Sequence, residues 1–257
     1  MWAIMNSDQT TGSRLSPVLP LDKAPHRISA MFDAIASHYD LLNRVLSGGL
    51  DRRWRERAVG ELHLSGNEVA VDLCTGTADL ALTLIRVPGV RRIIGVDFST
   101  EMLRLGQRKV SEAGEGQTVR MVRGDAMSVP VTNAVADAVT IGFGIRNVQV
   151  PIDTLGEAHR ILRPGGKLAI LEFGFPKNFL LRNTYKWYFR RVLPLVGKVV
   201  SRHSTAYSYL PASVGTFWEP DEFCGILSSA GFTEVRAAPL TFGIVYLYIA
   251  TKPKVSQ

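Results

Sequence analysis

Strand and helix signals alternate from residue 68 to residue 173, and this alternation restricts the fold more than any other feature of the chain. Short runs of apolar, often β-branched residues predict strands, and amphipathic stretches between them predict helices. The predicted strands are 68–73, 92–96, 118–123, 137–141 and 167–173, and the predicted helices are 78–85, 100–112 and 151–162. This spacing indicates right-handed βαβ units and a mostly parallel sheet.

The segments on either side complete the predicted architecture. They comprise helices at 28–38, 53–62 and 221–230, turns at 39–50 and 164–166, and a closing β-hairpin at 232–237 and 242–251. Residues 175–214 interrupt the alternation and form an insertion before the last helix. We therefore expect an α/β fold with a doubly wound, mostly parallel seven-stranded sheet, N-terminal helices and a helical insertion before the last strands.

The composition bounds the domain count and the compartment. A chain of 257 residues, 46% of them hydrophobic, is long enough for one large domain, which we assign to 26–252 after a disordered or poorly ordered tail at 1–25. Cys74 and Cys224 suggest neither a disulfide framework nor a metal cluster, so we expect a reducing compartment and no metal. We see no signal peptide and no apolar run of about 18–20 residues, which predicts a cytoplasmic protein.

The carboxyl ends of the predicted strands carry the candidate site, because ligands of open α/β sheets bind at that edge. In the turn after the first strand, Gly76 lets the backbone approach a ligand and Thr77 adds a hydroxyl. Asp97 closes the second strand about 20 residues later, where a carboxylate can accept hydrogen bonds from a ribose diol. Asp125, followed by Ala126, closes the third strand, where a carboxylate can accept from an adenine amino group.

The turn around Gly76 indicates which cofactor this edge can bind. It does not match the GxGxxG pattern of dinucleotide sites, whose phosphates need several backbone donors. S-adenosylmethionine has no phosphate, and acidic strand ends suit its ribose and adenine. After the fourth strand, Gly142 opens a loop near the expected reacting end of the cofactor. The sequence therefore predicts a class I S-adenosylmethionine-dependent methyltransferase.

Two signatures resemble those of the ubiquinone/menaquinone C-methyltransferase family. The first, Y-D-x-x-N-x-x-x-S-x-G, is present at 39–49, with Trp54 in the expected place and Asp51 where the family usually has histidine. The second is present at 160–174 (RILRPGGKLAILEFG) and ends in Gly174, where the family commonly has serine. The resemblance extends from about Met31 to Lys252 and includes the segments 143–147 (FGIRN) and 209–213 (YLPAS).

The resemblance implies methyl transfer from S-adenosylmethionine to a ring carbon of a polyprenylated quinol in quinone biosynthesis. We expect demethylmenaquinol as the acceptor. The alternatives are a ubiquinone-precursor benzoquinol, both quinols, or O- or N-methylation of a small molecule. The family's cofactor contacts fall on positions that match Thr77, Asp97, Asp125 and Ala126, and a further contact, often a serine, matches Gly142.

Two residues are candidates for the chemistry of transfer. Carbon is a poor nucleophile unless an adjacent phenol loses its proton, so we expect the reduced quinol to be the substrate. Arg146 lies in the loop at the reacting end and can stabilise the developing oxyanion, or else form a structural ion pair. Tyr39, with Asp40, can close over the cofactor, or else anchor the N-terminal helices. We assign no general base.

The insertion predicts contact with a membrane. Basic residues that alternate with aromatic and aliphatic ones are typical of segments at a bilayer surface, and a helix that caps the sheet is the alternative. We expect peripheral contact with the inner face of the cytoplasmic membrane, where a polyprenyl tail resides. The residues concerned are Phe179, Leu180, Leu181, Tyr185, Trp187, Tyr188, Phe189, Val192 and Leu193, with Lys177, Arg182, Lys186, Arg190, Arg191, Lys198 and Arg202.

The net charge of +7 raises the alternative of a nucleic-acid methyltransferase. Enzymes that methylate exocyclic base amines have an Asn/Asp-Pro-Pro-aromatic loop after the fourth strand, and Gly142–Ile145 does not resemble it, so we expect no nucleic-acid partner. A cofactor-binding protein without turnover, acting in a quinone-assembly complex, is a further alternative. The oligomeric state is left open, with a homo-oligomer among the options.

Overall fold

A computed structural model describes residues 23–184, 191 and 204–254, with only the backbone described for 204–208. The strands in this part of the chain are β1 (Val69–Leu73), β2 (Arg92–Asp97), β3 (Val119–Arg123), β4 (Ala136–Gly142), β5 (Leu162–Phe173), β6 (Thr233–Leu240) and β7 (Val245–Thr251). The helices are α1 (Pro25–Leu46), α2 (Asp51–Glu61), α3 (Asp79–Leu84), α4 (Thr100–Glu112), α5 (Pro151–Ile161), α6 (179–184), α7 (Ser204–Gly215) and α8 (Pro220–Ser229).

The strands form one sheet in the order β3-β2-β1-β4-β5-β7-β6. Strand β7 runs antiparallel to β5 and β6, and the pairings among β1 to β5 are parallel. The predicted seven-stranded, mostly parallel sheet with a closing hairpin is confirmed. The strand order reverses direction between β1 and β4, which places a ligand site at the carboxyl ends of these strands.

Helices cover both faces of the sheet. On one face, α2, α3 and α4 contribute buried apolar side chains such as Ala58, Leu84 and Val110. On the other face, α5 and α8 contribute Leu155 and Phe223, which are fully buried. Because both faces are covered, the central strands are almost continuously buried rather than alternating, and every residue of β1 is buried.

Helix α1 is longer than predicted, so the turn expected at 39–50 is wrong over its first eight residues. The chain remains helical to Leu46 because Leu42 continues the buried stripe of Ile28 and Ile35 at intervals of seven residues. Burial of this stripe outweighs the weak helix propensity of the polar residues between 39 and 46. The helix ends before the glycine pair at 48–49, where both glycines have positive φ.

The turn predicted at 164–166 is also wrong, because these residues lie inside β5. The strand pairs with β4 through Leu162, and the register then shifts before pairing resumes at Lys167. Gly165 has a φ of +81° and its backbone N–H donates to the carbonyl of Lys252 at 2.9 Å. A bulge therefore absorbs the sequence PGG without ending the strand.

The predicted tail and insertion are only partly described. Pro25 begins α1, and residues 1–22 lie outside the described residues. Helices α6 and α7 show helical structure at the two ends of the insertion. None of the helices that the structure describes is long and apolar enough to span a bilayer. Side chains outside the described part include those of Tyr185, Lys186, Trp187, Tyr188, Phe189, Arg190, Val192, Leu193, Lys198 and Arg202.

Candidate active site

The carboxyl ends of β1, β2 and β4 surround two adjoining spaces that share Gly76 and Gly142 in their walls, and we call the two together the strand-end cavity. It is lined by four of the predicted cofactor residues, Gly76, Thr77, Asp97 and Gly142. Tyr39 of α1 also lines it and covers it from above the sheet. The structure thus brings together five residues that are up to about 100 positions apart in the sequence, as the strand reversal requires.

Asp97 holds the glycine turn against the end of β2. Its Oδ2 accepts a hydrogen bond from the backbone N–H of Gly76 at 2.9 Å, and its Oδ1 accepts from that of Ser99 at 2.9 Å. Gly76 has a φ of +55°, and a Cβ added to it would meet no atom within 4 Å. The backbone of the turn therefore faces open space in the cavity, which a ligand can approach closely.

Thr77 links the turn to α1 instead of pointing freely into the cavity. Its hydroxyl donates to Asp40 Oδ1 at 2.5 Å, and Lys109 of α4 donates to Asp40 Oδ2 at 2.8 Å. Lys109 also pairs with Asp79, which lies 3.1 Å from the guanidinium of Arg55. These contacts fasten α1 over the strand-end cavity.

Asp125 and Ala126 are not brought into the strand-end cavity. The Asp125 side chain is exposed, accepts from the backbone N–H of Met127 at 2.9 Å, and lines a separate cleft beside the start of α1. Ala126 is buried in the core cluster on the α5 and α8 face. Phe98 lines both the cleft and the strand-end cavity, so this residue lies at the boundary between Asp125 and the other predicted residues.

Two buried carboxyls give the strand-end cavity a preference for a cation. Asp72 accepts from the hydroxyls of Thr75 and Thr140 at 2.6 Å each, and burial raises its pKa to about 6. Burial likewise raises the pKa of Asp97. A positively charged ligand beside them would favour the ionised forms of both.

A more apolar space, the inner cavity, lies on the other side of Tyr39. Tyr39 and Phe143 line both spaces, and Trp54, Phe173 and Tyr209 are among the other residues that line the inner one. The ring centroids of Phe143 and Phe173 are 4.6 Å apart, and those of Trp54 and Phe143 are 6.1 Å apart. This aromatic lining suits a flat, apolar ring placed next to the strand-end cavity.

Arg146 lines the inner cavity and also forms the structural ion pair that was its alternative interpretation. Its Nη1 lies 2.6 Å from Glu172 Oε1 and donates to the Phe143 carbonyl at 2.6 Å. The guanidinium lies over the Phe173 ring, 5.3 Å from the centroid. Glu172 is fully buried, and its Oε1 also accepts a hydrogen bond from the backbone N–H of Phe173 at 2.8 Å.

Two buried polar atoms beside the cavities have no hydrogen-bond partner among the described residues. They are the hydroxyl of Tyr209 and Oδ1 of Asn147. Burial raises the pKa of Tyr209, which keeps the hydroxyl protonated and able to donate. An unpaired buried polar atom is costly, so both atoms are candidates to bind a ligand. Sequence reasoning gave neither residue a role, although both lie in segments that match the family.

The three departures from the family pattern have structural explanations. Asp51, at the position of the usual histidine, is buried, accepts from the Ser47 hydroxyl at 2.9 Å and pairs with Arg55. A Cβ at Gly142 would lie 3.2 Å from Leu80, whose side chain fills that position. A Cβ at Gly174 would lie 2.7 Å from the Tyr246 ring, so a serine does not fit here without movement.

We expect Gly144→Ala to lower the free energy of unfolding by about 1–3 kcal/mol. The added Cβ would clash with Cys74 Cβ, so the loop at Gly144 must move away from the residue that follows β1. Gly156→Ala is the control, because a Cβ on this exposed helical residue meets nothing and should stabilise α5 by about 0.5–1 kcal/mol. Urea denaturation measures both changes, and equal stability of the two variants would contradict the close packing of Gly144 and Cys74.

Comparison with known sequences shows similarity over nearly the whole chain. The profile of the ubiE/COQ5 methyltransferase family matches residues 21–252. The chain is 43% identical over 233 residues to the ubiquinone/menaquinone biosynthesis C-methyltransferase UbiE of Geobacter sp. (strain M21), covering 90% of this chain and 99% of that protein. It is also 43% identical over 224 residues to the demethylmenaquinone methyltransferase of Thermus thermophilus, covering 87% and 100%.

Solved structures of methyltransferases share the fold. A SAM-dependent methyltransferase from Aquifex aeolicus matches 89% of this chain and 98% of its own at 18% identity, with a TM-score of 0.59. Phosphoethanolamine N-methyltransferase 2 of Haemonchus contortus, in complex with S-adenosyl-L-methionine, matches 79% of this chain and 53% of its own at 14% identity, with a TM-score of 0.60. The class I methyltransferase fold is therefore confirmed. With the family profile and the relatives at 43% identity, the chain belongs to the ubiE/COQ5 methyltransferase family.

Proposed function

We propose that this methyltransferase transfers the methyl group of S-adenosylmethionine to a ring carbon of a polyprenylated quinol, and that demethylmenaquinol is the preferred acceptor. The observation that carries the proposal is the pair of adjoining cavities separated by Tyr39 and Phe143. One has buried carboxyls and an open glycine turn, and the other has an aromatic lining with Arg146 and the Tyr209 hydroxyl. A cationic methyl donor and a flat acceptor can thus lie side by side.

The residues of the strand-end cavity fit S-adenosylmethionine. Gly76 would let the backbone lie against the cofactor, and the carboxyl of Asp97 would accept from its ribose hydroxyls. Asn147 Oδ1 is a buried acceptor with no partner among the described residues. It would accept a hydrogen bond from S-adenosylmethionine or from the quinol. Asp125 and Ala126 would contact the cofactor only if its far end extended past Phe98. The cofactor supplies an electrophilic methyl group on a positively charged sulfur.

The chain's own residues would then orient and activate the quinol. Trp54, Phe143 and Phe173 would hold the ring, and water would be kept from the apolar space around it. A quinol hydroxyl that releases its proton to solvent before the site closes feeds negative charge into the neighbouring ring carbon, and this carbon gives up its own hydrogen as a proton to solvent after it has accepted the methyl group. The guanidinium of Arg146 and the hydroxyl of Tyr209 would stabilise the negative oxygen by charge and by a hydrogen bond.

Tyr209→Phe should lower kcat/KM for the quinol by about 10- to 100-fold, the equivalent of one hydrogen bond to a charged oxygen. The affinity for S-adenosylmethionine should remain the same, because Tyr209 lines the inner cavity and not the strand-end cavity. Tyr246→Phe is the matched control, since this tyrosine is buried but lines neither cavity. Steady-state kinetics with saturating cofactor measure the effect, and equal kcat/KM values for the two variants would contradict this role of Tyr209.

The affinity for S-adenosylmethionine should fall as the pH falls. The raised pKa of Asp97 means that its carboxyl takes up a proton at a higher pH than an ordinary aspartate, and the protonated form no longer attracts the cation. Burial also raises the pKa of Asp72, to about 6, so between pH 8 and pH 5 its protonation should raise Kd by about tenfold. Titration calorimetry measures this change. The Asp97→Asn variant should bind weakly at every pH, and a pH-independent Kd for the unaltered chain would contradict the proposal.

Peripheral membrane contact is part of the same proposal, because the isoprenoid tail keeps the acceptor in a bilayer. Phe179 and Leu180 support it, since each is 73% exposed at the start of α6, beside the exposed Lys177. Exposed aromatic and basic side chains on one short segment are suited to the boundary between head groups and acyl chains.

An assay with labelled S-adenosylmethionine tests the choice of acceptor. Demethylmenaquinol and the benzoquinol precursor of ubiquinone are offered separately to the unaltered chain. We expect label in the naphthoquinol, at a kcat/KM at least about tenfold above that for the benzoquinol. Label in the benzoquinol alone would overturn the choice of demethylmenaquinol. Cofactor binding without label in either would overturn the proposed reaction.

A further inference from the structure

The inner cavity adjoins a second apolar space, which we call the outer groove. The two spaces share part of their walls, including Leu46, Trp54, Phe173 and Leu210. The outer groove has a volume of about 500 Å³ and is lined almost entirely by apolar side chains. A ligand ring in the inner cavity can therefore carry a long apolar substituent into the groove without crossing a polar layer.

The outer end of the groove opens among exposed apolar side chains. Val45 of α1, Leu181 of α6 and Phe242 of the β6–β7 turn all line the groove, and they are 50%, 43% and 79% exposed. They come from three separate elements. The exposed Arg44 precedes Val45 in the sequence, whereas Arg182, which follows Leu181, pairs with Glu219 at 3.2 Å. An exposed apolar opening built by three separate elements matches the surface of a bilayer.

The turn that carries Phe242 has an unfavourable backbone conformation. Thr241, Phe242 and Gly243 have consecutive φ angles of 47°, 59° and 88°. Two of these residues are not glycine, and such a conformation persists only where surrounding contacts hold it. One such contact is the bond from Trp54 Nε1 to Thr241 Oγ1, at 2.8 Å. Trp54 lines both the inner cavity and the groove, so the same side chain positions the turn and forms part of the wall of both spaces.

We propose that the outer groove binds the isoprenoid tail of the quinol and that Phe242 marks where the tail passes from the bilayer into the protein. The inference rests on the proposed quinol substrate. The strained turn keeps the Phe242 ring in the lipid at the groove opening, and the tail runs past Leu181 and Val45 toward the ring site. Binding the tail here lets the enzyme take its substrate without extracting it completely from the membrane.

The test compares two quinones, demethylmenaquinone with its long tail and an analogue with a single isoprene unit, in vesicles of phosphatidylglycerol and phosphatidylethanolamine. Binding is followed by the rise in melting temperature as each quinone is added, and turnover of the reduced forms by methyl transfer. Phe242→Gly removes the ring, and because glycine adopts positive φ without strain, the melting temperature should not fall. Thr184→Trp narrows the groove from the exposed face of α6. Ile152→Ala, at a 52% exposed residue of α5 away from the groove, is the control.

We expect Phe242→Gly and Thr184→Trp to weaken binding of the long-tailed quinone about tenfold, and to change that of the short analogue less than about twofold. Ile152→Ala should change neither. Equal losses for both quinones, or no loss for the long-tailed one, would overturn the inference. So would light scattering that shows a dimer of the unaltered chain dissociated by Phe242→Gly, because the groove would then hold a second copy. Tail-dependent binding without methyl transfer would contradict the proposed function and leave this inference standing.

Discussion

Arg146→Gln should lower kcat by about 100- to 1,000-fold, the loss typical when one group that stabilises a developing oxyanion is removed. Glutamine keeps a hydrogen-bond donor in the inner cavity but has no positive charge. The affinity for S-adenosylmethionine should change little, because the Arg146 side chain lies in the inner cavity and not in the strand-end cavity. Rapid-quench kinetics with the reduced quinol measure the chemical step directly.

The control for this variant is Arg160→Gln. Arg160 also forms an ion pair, with Glu157 at 2.6 Å, and donates to the backbone carbonyls of Val129 and Val131, but it lines neither cavity. The Arg160→Gln variant should be less stable than the unaltered enzyme but should keep its kcat. A kcat for Arg146→Gln within about threefold of the unaltered enzyme would restrict Arg146 to the structural ion pair, since a removed oxyanion donor costs far more.

Glu172→Gln should lower the free energy of unfolding by about 3–5 kcal/mol, because it leaves the buried guanidinium of Arg146 without its counter-charge. Both side chains are almost completely buried, with 8% and 0% exposed. Neither the Phe143 carbonyl nor the Ser213 hydroxyl, 3.4 Å from Nε, carries a charge that could replace the carboxylate. Denaturation in urea or guanidinium chloride measures the loss.

The double variant Arg146→Gln/Glu172→Gln separates the two roles of the pair. It should regain most of the stability lost in Glu172→Gln, because no buried charge remains, while its kcat should stay as low as that of Arg146→Gln. A double variant as unstable as the sum of the single ones would show that the pair contributes little coupling energy.

The sequence predicts the sheet well because its signals are local. Each of the first five strands contains a short stretch with apolar residues, and the two strands of the hairpin lie on either side of the short turn at 241–244, so the position of each strand along the chain needs little tertiary information. The errors occurred where distant contacts decide the local structure. Residues 39–46 contain weak helix formers, and they are helical because Leu42 is buried and Asp40 bonds to Thr77, 37 positions away.

The error in α1 also hid part of the site. Once 39–46 is helical, Tyr39 and Asn43 lie one turn apart on the same face. Burial raises the pKa of Tyr39, and a hydrogen bond between these two side chains partly offsets that rise. The turn predicted for this segment gave no reason to pair them. A helical interpretation of the family signature at 39–49 would have placed both residues at the wall between the cavities, where both line the inner and the strand-end cavity.

The cofactor residues were predictable to different degrees. Gly76, Thr77, Asp97 and Gly142 follow from the rule that ligands bind at the strand ends, and the structure brings them to one cavity. Asp125 follows from the same rule, but the β3 end is separated from the cavity by Phe98, whose position depends on side-chain packing. The partner of Arg146 could not be chosen from sequence, because Glu172 reaches it only through the register of β4 and β5.

Identification of the methylated atom tests the central claim most directly. The unaltered enzyme is given S-adenosylmethionine with an isotope-labelled methyl group and either demethylmenaquinol or its oxidised quinone, and the products are analysed by nuclear magnetic resonance. Activation of the ring by a deprotonated hydroxyl predicts a methyl group bonded to a ring carbon, formed from the quinol and not from the quinone. A methyl group bonded to oxygen, or equal labelling of quinol and quinone, would contradict it.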